Sequence, residues 1–120
     1  ILQNITWSGV LDGEVKANAL AASRVFLSAS HYDSGIIALD EALATGIPGV
    51  IYDLSHLDYP AGVIRIPLGD TNAFVDAICE LLTNEGKRRA LGREGQVYAK
   101  EWDWDKRAEE ALSFLSSFAV

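Results

Sequence analysis

Short runs rich in β-branched and aromatic residues alternate along this chain with segments of helical period, and few architectures accept that order. Strands separated by helices cannot pair as hairpins, so the pattern predicts parallel strands joined by helical crossovers and an α/β fold. Asn4-Ile5-Thr6-Trp7 reads as a first strand closed by Ser8-Gly9, and Asp12 as the cap of a helix reaching Ser23. That helix would turn Val15, Ala19, Leu20 and Ala22 inward. Arg24 to Ser28 suits a strand buried on both faces. A polar loop, Ala29 to Ser34, leads into an almost wholly apolar helix from Gly35 to Thr45, which Gly46 caps and Pro48 forbids to continue.

Two further strands follow, Gly49 to Tyr52 and Val63 to Ile66, around an Asp- and His-containing loop, Asp53 to Gly62. Asp70 or Thr71 caps a helix whose apolar set is Phe74, Val75, Ile78, Leu81 and Leu82, with Cys79 on the same side. Asn84 to Lys100 forms a more polar helix, weakened by Gly92 and Gly95. Trp102-Asp103-Trp104-Asp105 breaks it and opens a last helix with Ala108, Ala111, Leu112 and Leu115 inward, anchored by the two tryptophans. The expected order is β α β α β β α α α. No repeat or linker divides the 120 residues, which form one domain.

Ten basic and 17 acidic residues leave a net charge of −7, the wrong sign for a nucleic-acid-binding surface. A single cysteine, Cys79, closes no internal disulfide and assembles no zinc site, which predicts a reducing, cytoplasmic setting. No apolar run has the length of a membrane span, and no signal-peptide pattern opens the chain. Beginning at Ile1 with a strand-like run and lacking methionine, the sequence reads as a piece of something longer.

In open α/β sheets ligands sit beyond the carboxyl ends of strands, where loops enter helix N-termini. Ser8 to Asp12 is one such place and Ala29 to Gly35 the better one. A helix starting near Gly35 would point free amides of Gly35, Ile36 and Ile37 into the crevice, an anion site needing no basic side chain. Every parallel βα turn has such amides, and water is the usual partner. Two acids add a pattern: Asp33 before the helix and Glu41 inside it lie eight positions apart, on the order of 12 Å along a helix axis. That layout suits a nucleoside diphosphate sugar, with an acceptor for sugar hydroxyls, amides for the diphosphate and an acceptor for the ribose diol. Glu41 stands among Ile37, Ala38, Ala42 and Leu43, and a carboxylate withdrawn from water needs donors. Equally, Glu41 faces solvent, or Asp40 is the solvated acid of the two.

At these residues the chain resembles the C-terminal domain of GT-B glycosyltransferases, in particular glycosyltransferase family 4. The family pattern is P-S-x-x-E-G-F-G-x-x-x-x-E-A-x-A-x-G-x-P-V-V. Here Ala29-Ser30-His31-Tyr32-Asp33-Ser34-Gly35-Ile36 is followed by Glu41-Ala42-Leu43-Ala44-Thr45-Gly46-Ile47-Pro48-Gly49-Val50. Asn4 to Val10 is similar to the family's N-V-x-F-x-G-x segment, Leu68-Gly69-Asp70 to its p-x-G-D, and Trp104 to its late aromatic-x-W. The agreement runs in order over essentially the whole chain.

The resemblance implies a Rossmann-like parallel sheet, part of a GT-B C-terminal domain whose first strands and N-terminal acceptor domain lie upstream. It implies that Asp33 holds donor-sugar hydroxyls, that Ser34, Gly35, Ile36 and Ile37 meet sugar and diphosphate, and that Glu41 accepts from the ribose. Gly9 and Val10 fall on the loop against the base. The implied reaction moves a hexosyl group from a nucleotide-sugar donor to an acceptor hydroxyl with retention. No cofactor and no metal are implied, the nucleotide sugar being substrate. The family's diphosphate-gripping Arg and Lys would precede Ile1, so the 120 residues alone are expected to be inactive.

The departures are Asp33 for glutamate, Ser34-Gly35 for Gly-Phe, Ile36 for glycine and Ala29 for proline. They motivate an alternative, a non-catalytic Rossmann-like module for assembly or regulation. A phosphoacceptor receiver domain fits the alternation but would need an acidic pair at the first strand end. His31 and His56 lie in loops off the motif. Lys87, Arg88, Arg89 and Arg93 form a solvated helix face or, alternatively, a contact with anionic lipid at a membrane surface.

Overall fold

A computed structural model of the chain describes residues 2–119. Its centre is a three-stranded parallel sheet in the order β1 (Phe26–Ser28), β2 (Gly49–Tyr52), β3 (Val63–Ile66), with Leu27 beside Val50 and Val50 beside Ile64. Five helices accompany it: α1 (Gly13–Ala21), α2 (Ile37–Ala44), α3 (Thr71–Thr83), α4 (Glu85–Lys100) and α5 (Trp104–Ser116). The α/β, Rossmann-like class expected from the sequence is the one observed.

All four residues of β2 are buried, and their alternation feeds two cores. Val50 and Tyr52 meet Ile66, Phe74, Ala77 and Leu81 on the α3 side, while Ile51 meets Ile36, Leu39, Leu43 and Tyr59 on the α2 side. Gly49 opens β2 where α2 lies closest, since a Cβ there would come within 2.6 Å of Leu39 Cδ1.

Helix ends follow the sequence closely in four places. Asp70 accepts from the Ala73 amide at 3.0 Å, Asn84 from Lys87 at 2.9 Å, and Asp103 from Asp105 at 2.9 Å. Gly46, at φ +81°, ends α2, and the amide of the next residue, Ile47, returns to the Ala42 carbonyl at 2.9 Å. Asp12 stands at the start of α1 but makes no side-chain cap.

Several expectations need correction. Asn4–Trp7 is no strand: a 3-10 turn occupies Leu2–Asn4, and Ile5 and Trp7 are exposed. A lone extended run has nowhere to place its amides and carbonyls, and β1 pairs only with β2 among the described residues. Leu27, expected between two covered faces, is 48% exposed. Neither α1 nor α5 has a buried residue, so Val15, Ala19 and Ala22 are not core, and neither are Leu112 and Leu115. In α3 the buried set is Phe74, Ala77 and Leu81, while Val75, Leu82 and Cys79 face outward.

Gly92 and Gly95 prove to be packing residues rather than weak points. They are the buried residues of α4, and α4 lies directly on α2. A Cβ at Gly92 would overlap the Gly46 carbonyl oxygen, and one at Gly95 would meet Leu43 Cδ2 at 2.6 Å and Gly62 Cα at 3.0 Å. Of the basic residues on α4, Lys87 pairs with Glu80, Arg89 with Glu85 at 2.6 Å, and Arg88 donates to the Leu81 carbonyl at 2.9 Å. Lys87 and Arg89 are exposed, as a solvated helix face requires, whereas Arg88 is half-buried against the end of α3.

Candidate functional site

The carboxyl ends of β1 and β2 face the start of α2, and an open cleft of about 630 Å³ runs from there along that helix. Its floor is Ile37, Asp40, Glu41 and Ala44, one face of α2 at helical spacing. Ser34 and Gly35 close it at the helix entrance, His56 to Tyr59 from the β2–β3 loop along one side, and Tyr98, Trp102 and Trp104 along the other.

Glu41 faces this cleft. Its carboxylate is half-exposed and takes the Lys16 ammonium of α1 at 2.6 Å. That pair ties α1 to α2 and supplies the donor that a carboxylate on an apolar helix requires. Of the neighbours expected to be buried beside it, Ala42 and Leu43 are, whereas Ile37 and Ala38 are exposed. Asp40 is also half-buried in the cleft wall, and burial raises its carboxyl above the ordinary range. It is not the freely solvated acid.

Asp33 lies outside the helix, because α2 begins at Ile37 and not near Gly35. The eight-residue spacing therefore does not run along one axis. Helical rise applies only from Ile37 to Glu41, about 6 Å. Asp33 Oδ1 accepts from the Gly35 amide at 3.0 Å.

The expected free amides are engaged within the protein. Gly35 donates to Asp33, Ile36 to the Tyr59 hydroxyl at 3.1 Å, and Ile37 to the Gly35 carbonyl at 3.0 Å. Ile36 is moreover buried, its side chain among Leu39, Leu43 and Ile51. A diphosphate oxygen reaches the first two amides only by displacing Asp33 or Tyr59. Gly9 has φ +67° with open space around it, and Val10 is 96% exposed; neither lines the cleft.

Sequence reasoning missed the β2–β3 loop. His56 Nε2 contacts the Asp33 carbonyl, and the buried Tyr59 hydroxyl bonds both main-chain groups of Ile36. Burial, reinforced by the negative charge of Asp40, pushes the Tyr59 phenol up to about 12, and Tyr98 is raised by the same two causes in that order. Lys16 went unmarked as well, since nothing in the sequence pairs residues 25 positions apart. His31 instead packs edge-on against Tyr52 at 5.5 Å. Trp102 and Trp104, expected as anchors of α5, stand edge-to-face at 6.1 Å on the cleft rim, with the Arg107 guanidinium 4.9 Å from the Trp102 ring centre. Aromatic faces beside carboxylates and hydroxyls are the surface a polyhydroxylated ring requires.

Among the described residues no helix is long and apolar enough to cross a membrane. No solved structure matches the chain. A phosphatidyl-myo-inositol mannosyltransferase from Mycobacterium leprae (strain TN) is 28% identical over 126 aligned positions, covering 100% of this chain and 33% of its own length. The chain thus spans about a third of the length of that curated relative. Residues 1–84 match the family described as glycosyl transferases group 1, including Asp33, Glu41 and the whole α2 entrance. The resemblance to the C-terminal domain of GT-B glycosyltransferases is confirmed, and the chain belongs to the group 1 glycosyl transferase family.

Proposed function

We propose that the chain is the donor-binding portion of a retaining glycosyltransferase, moving a hexosyl group from a nucleotide sugar to an acceptor hydroxyl. The observation that carries this reading is Glu41, presented into a cleft beside Ser34 and Gly35 in a segment matched by the family. In it, Glu41 accepts from the ribose diol and Asp33 from sugar hydroxyls, while the segment Ser34 to Ile37 contacts sugar and diphosphate through groups that Asp33 and Tyr59 do not already hold. The family resemblance adds Gly9 and Val10 beside the base, outside the cleft. The mannosyltransferase likeness favours a mannosyl or related hexosyl donor.

The cleft carries Asp40, Glu41 and Asp58, with Asp33 at its entrance. Such an acidic wall suits hydroxyl groups and repels phosphate, so the diphosphate needs cations from further chain. The Arg and Lys that the resemblance places upstream of Ile1 fit that need, and an acceptor-binding N-terminal domain in the same protein completes the proposal. Displacement of the diphosphate is then stabilised by cations and amides without a resident metal or cofactor. The 120 residues alone would not turn over sugar.

Calorimetry of UDP, GDP and ADP binding to the full-length protein tests the reading. Glu41→Ala removes a charged acceptor of two hydroxyls and weakens the preferred nucleotide by about tenfold or more. Absence of binding to all three, or binding indifferent to Glu41→Ala, would count decisively against it. A second reading, an interaction or regulatory module without turnover, is favoured by the internal engagement of the Gly35 and Ile36 amides. Sugar transfer lost on Asp33→Ala would dispose of that alternative.

A further inference from the structure

We propose that Tyr59, with His56, is a positioning residue that fixes the entrance of α2 in the geometry needed for donor contact. The inference rests on the donor-binding reading of the same cleft. Ile36 precedes α2 as its cap residue yet has no side-chain acceptor of its own. The phenol of Tyr59, 23 residues away, fills that role: Oη accepts from the Ile36 amide at 3.1 Å and donates toward the Ile36 carbonyl at 3.4 Å. Its ring is 7% exposed and packs in the α2-side core with Leu39, Leu43 and Ile51, so the hydroxyl has little freedom to leave.

His56 grips the same segment from its other end, through the Asp33 carbonyl. The loop that bears both residues is itself fixed to the sheet. Arg65 of β3 donates to Asp53 Oδ1 from Nε at 3.0 Å and to the Leu57 carbonyl from Nη2 at 3.2 Å, with Asp58 Oδ1 3.8 Å from Nη1. Residues 33–36 are therefore held at both ends by a loop anchored on a neighbouring strand, rather than by α2 alone. With the phenol raised to about 12 by burial and Asp40, Tyr59 keeps its proton throughout the neutral range and remains both donor and acceptor.

Tyr59→Phe retains the packed ring and removes only the hydroxyl. In the full-length protein, with GDP-mannose and UDP-glucose as donors, sugar release or transfer is followed beside affinity for the corresponding nucleoside diphosphate. Loosening the 33–36 segment lowers kcat on the order of tenfold to a hundredfold. Nucleoside diphosphate affinity falls by a clearly smaller factor than kcat, since the Glu41 contact, a turn further along α2, is left in place. An unchanged kcat would overturn the proposal and leave the donor reading standing. Parallel losses of kcat, affinity and melting temperature would overturn it too, as the mark of a general structural lesion. A wild-type protein that neither binds nor turns over nucleotide sugars removes both. Should Tyr59→Phe not fold, His56→Ala, at an exposed side chain, is measured in the same way. A kcat lowered more than affinity supports the proposal there too, and an unchanged kcat overturns it.

Discussion

Glu41 and Asp40 are adjacent acids on one apolar helix, and their surroundings separate them. Glu41 has Lys16 at 2.6 Å, whereas Asp40 has burial and, among the described residues, no cation paired with it, and its carboxyl is raised above the ordinary range. A raised carboxyl holds its proton in the folded chain at pH values where the unfolded chain has released it. Stability therefore falls as pH rises from the ordinary carboxylate value, about 4, through the raised one, and stays lower above it. Asp40→Asn removes that slope and leaves the protein more stable at neutral pH than wild type, by an amount that vanishes toward pH 3. Urea unfolding at pH 3, 5 and 7 checks this, and a variant less stable at pH 7 would refute it. The sequence made Glu41 visible as the odd acid on an apolar helix. It could not show which acid had a partner, because Lys16 belongs to an element whose approach to α2 is a tertiary event. Tyr59 was equally hidden: a tyrosine before Pro60 in a polar loop carries no periodic signal.

Helix α4 shows how the same local rule gives opposite results at different depths. Glycine in a helix is disfavoured by backbone entropy, and on that ground alone Gly92 and Gly95 look like weaknesses. Their packing reverses the reading, since a Cβ at Gly92 would strike the Gly46 carbonyl that ends α2 and one at Gly95 the Leu43 side chain and the Gly62 backbone. Gly86, in the first turn of the same helix, has only Asn84 Oδ1 nearby at 3.5 Å. Gly86→Ala should raise stability by roughly 0.5–1 kcal/mol. Gly92→Ala should lower it by about 1–3 kcal/mol, because the Gly46 carbonyl it would strike is backbone. Denaturant midpoints of the two variants give the comparison, and equal signs would refute the packing account. Caps and breaks of the helices were legible because Asp70, Asn84, Asp103 and Gly46 act within a few residues. The reason for a buried glycine is a neighbour 46 positions away and was not.

At the scale of the molecule, the chain measures 60 × 33 × 29 Å with a radius of gyration of 16.5 Å. A compact domain of this length would have about 14 Å. The excess has an identifiable origin in α1 and α5, which bury no residue, while Trp104, Leu112, Leu115 and Phe118 stay more than half exposed. Periodicity announced both helices correctly but assigned each an inner face, since an apolar stripe tells that a face seeks cover and not what covers it. The burial instead lies in β2, α2, α3 and the middle of α4. Opening free energy should follow that division. Hydrogen exchange on the 120-residue chain should show the amides of β2 and of residues 39–43 among the slowest. Those of α1 and α5 should exchange orders of magnitude faster, near the rate of frayed helix. Protection of α5 equal to that of β2 would mean that its apolar stripe is covered and would refute the peripheral placement. The Trp102–Trp104 rim depends on the same outcome, because both rings reach the cleft from the junction of α4 and α5. If α5 exchanges freely while the β2–β3 loop is protected, the durable part of the cleft is the Tyr59 and Glu41 side, and the tryptophan side closes only when α5 is held.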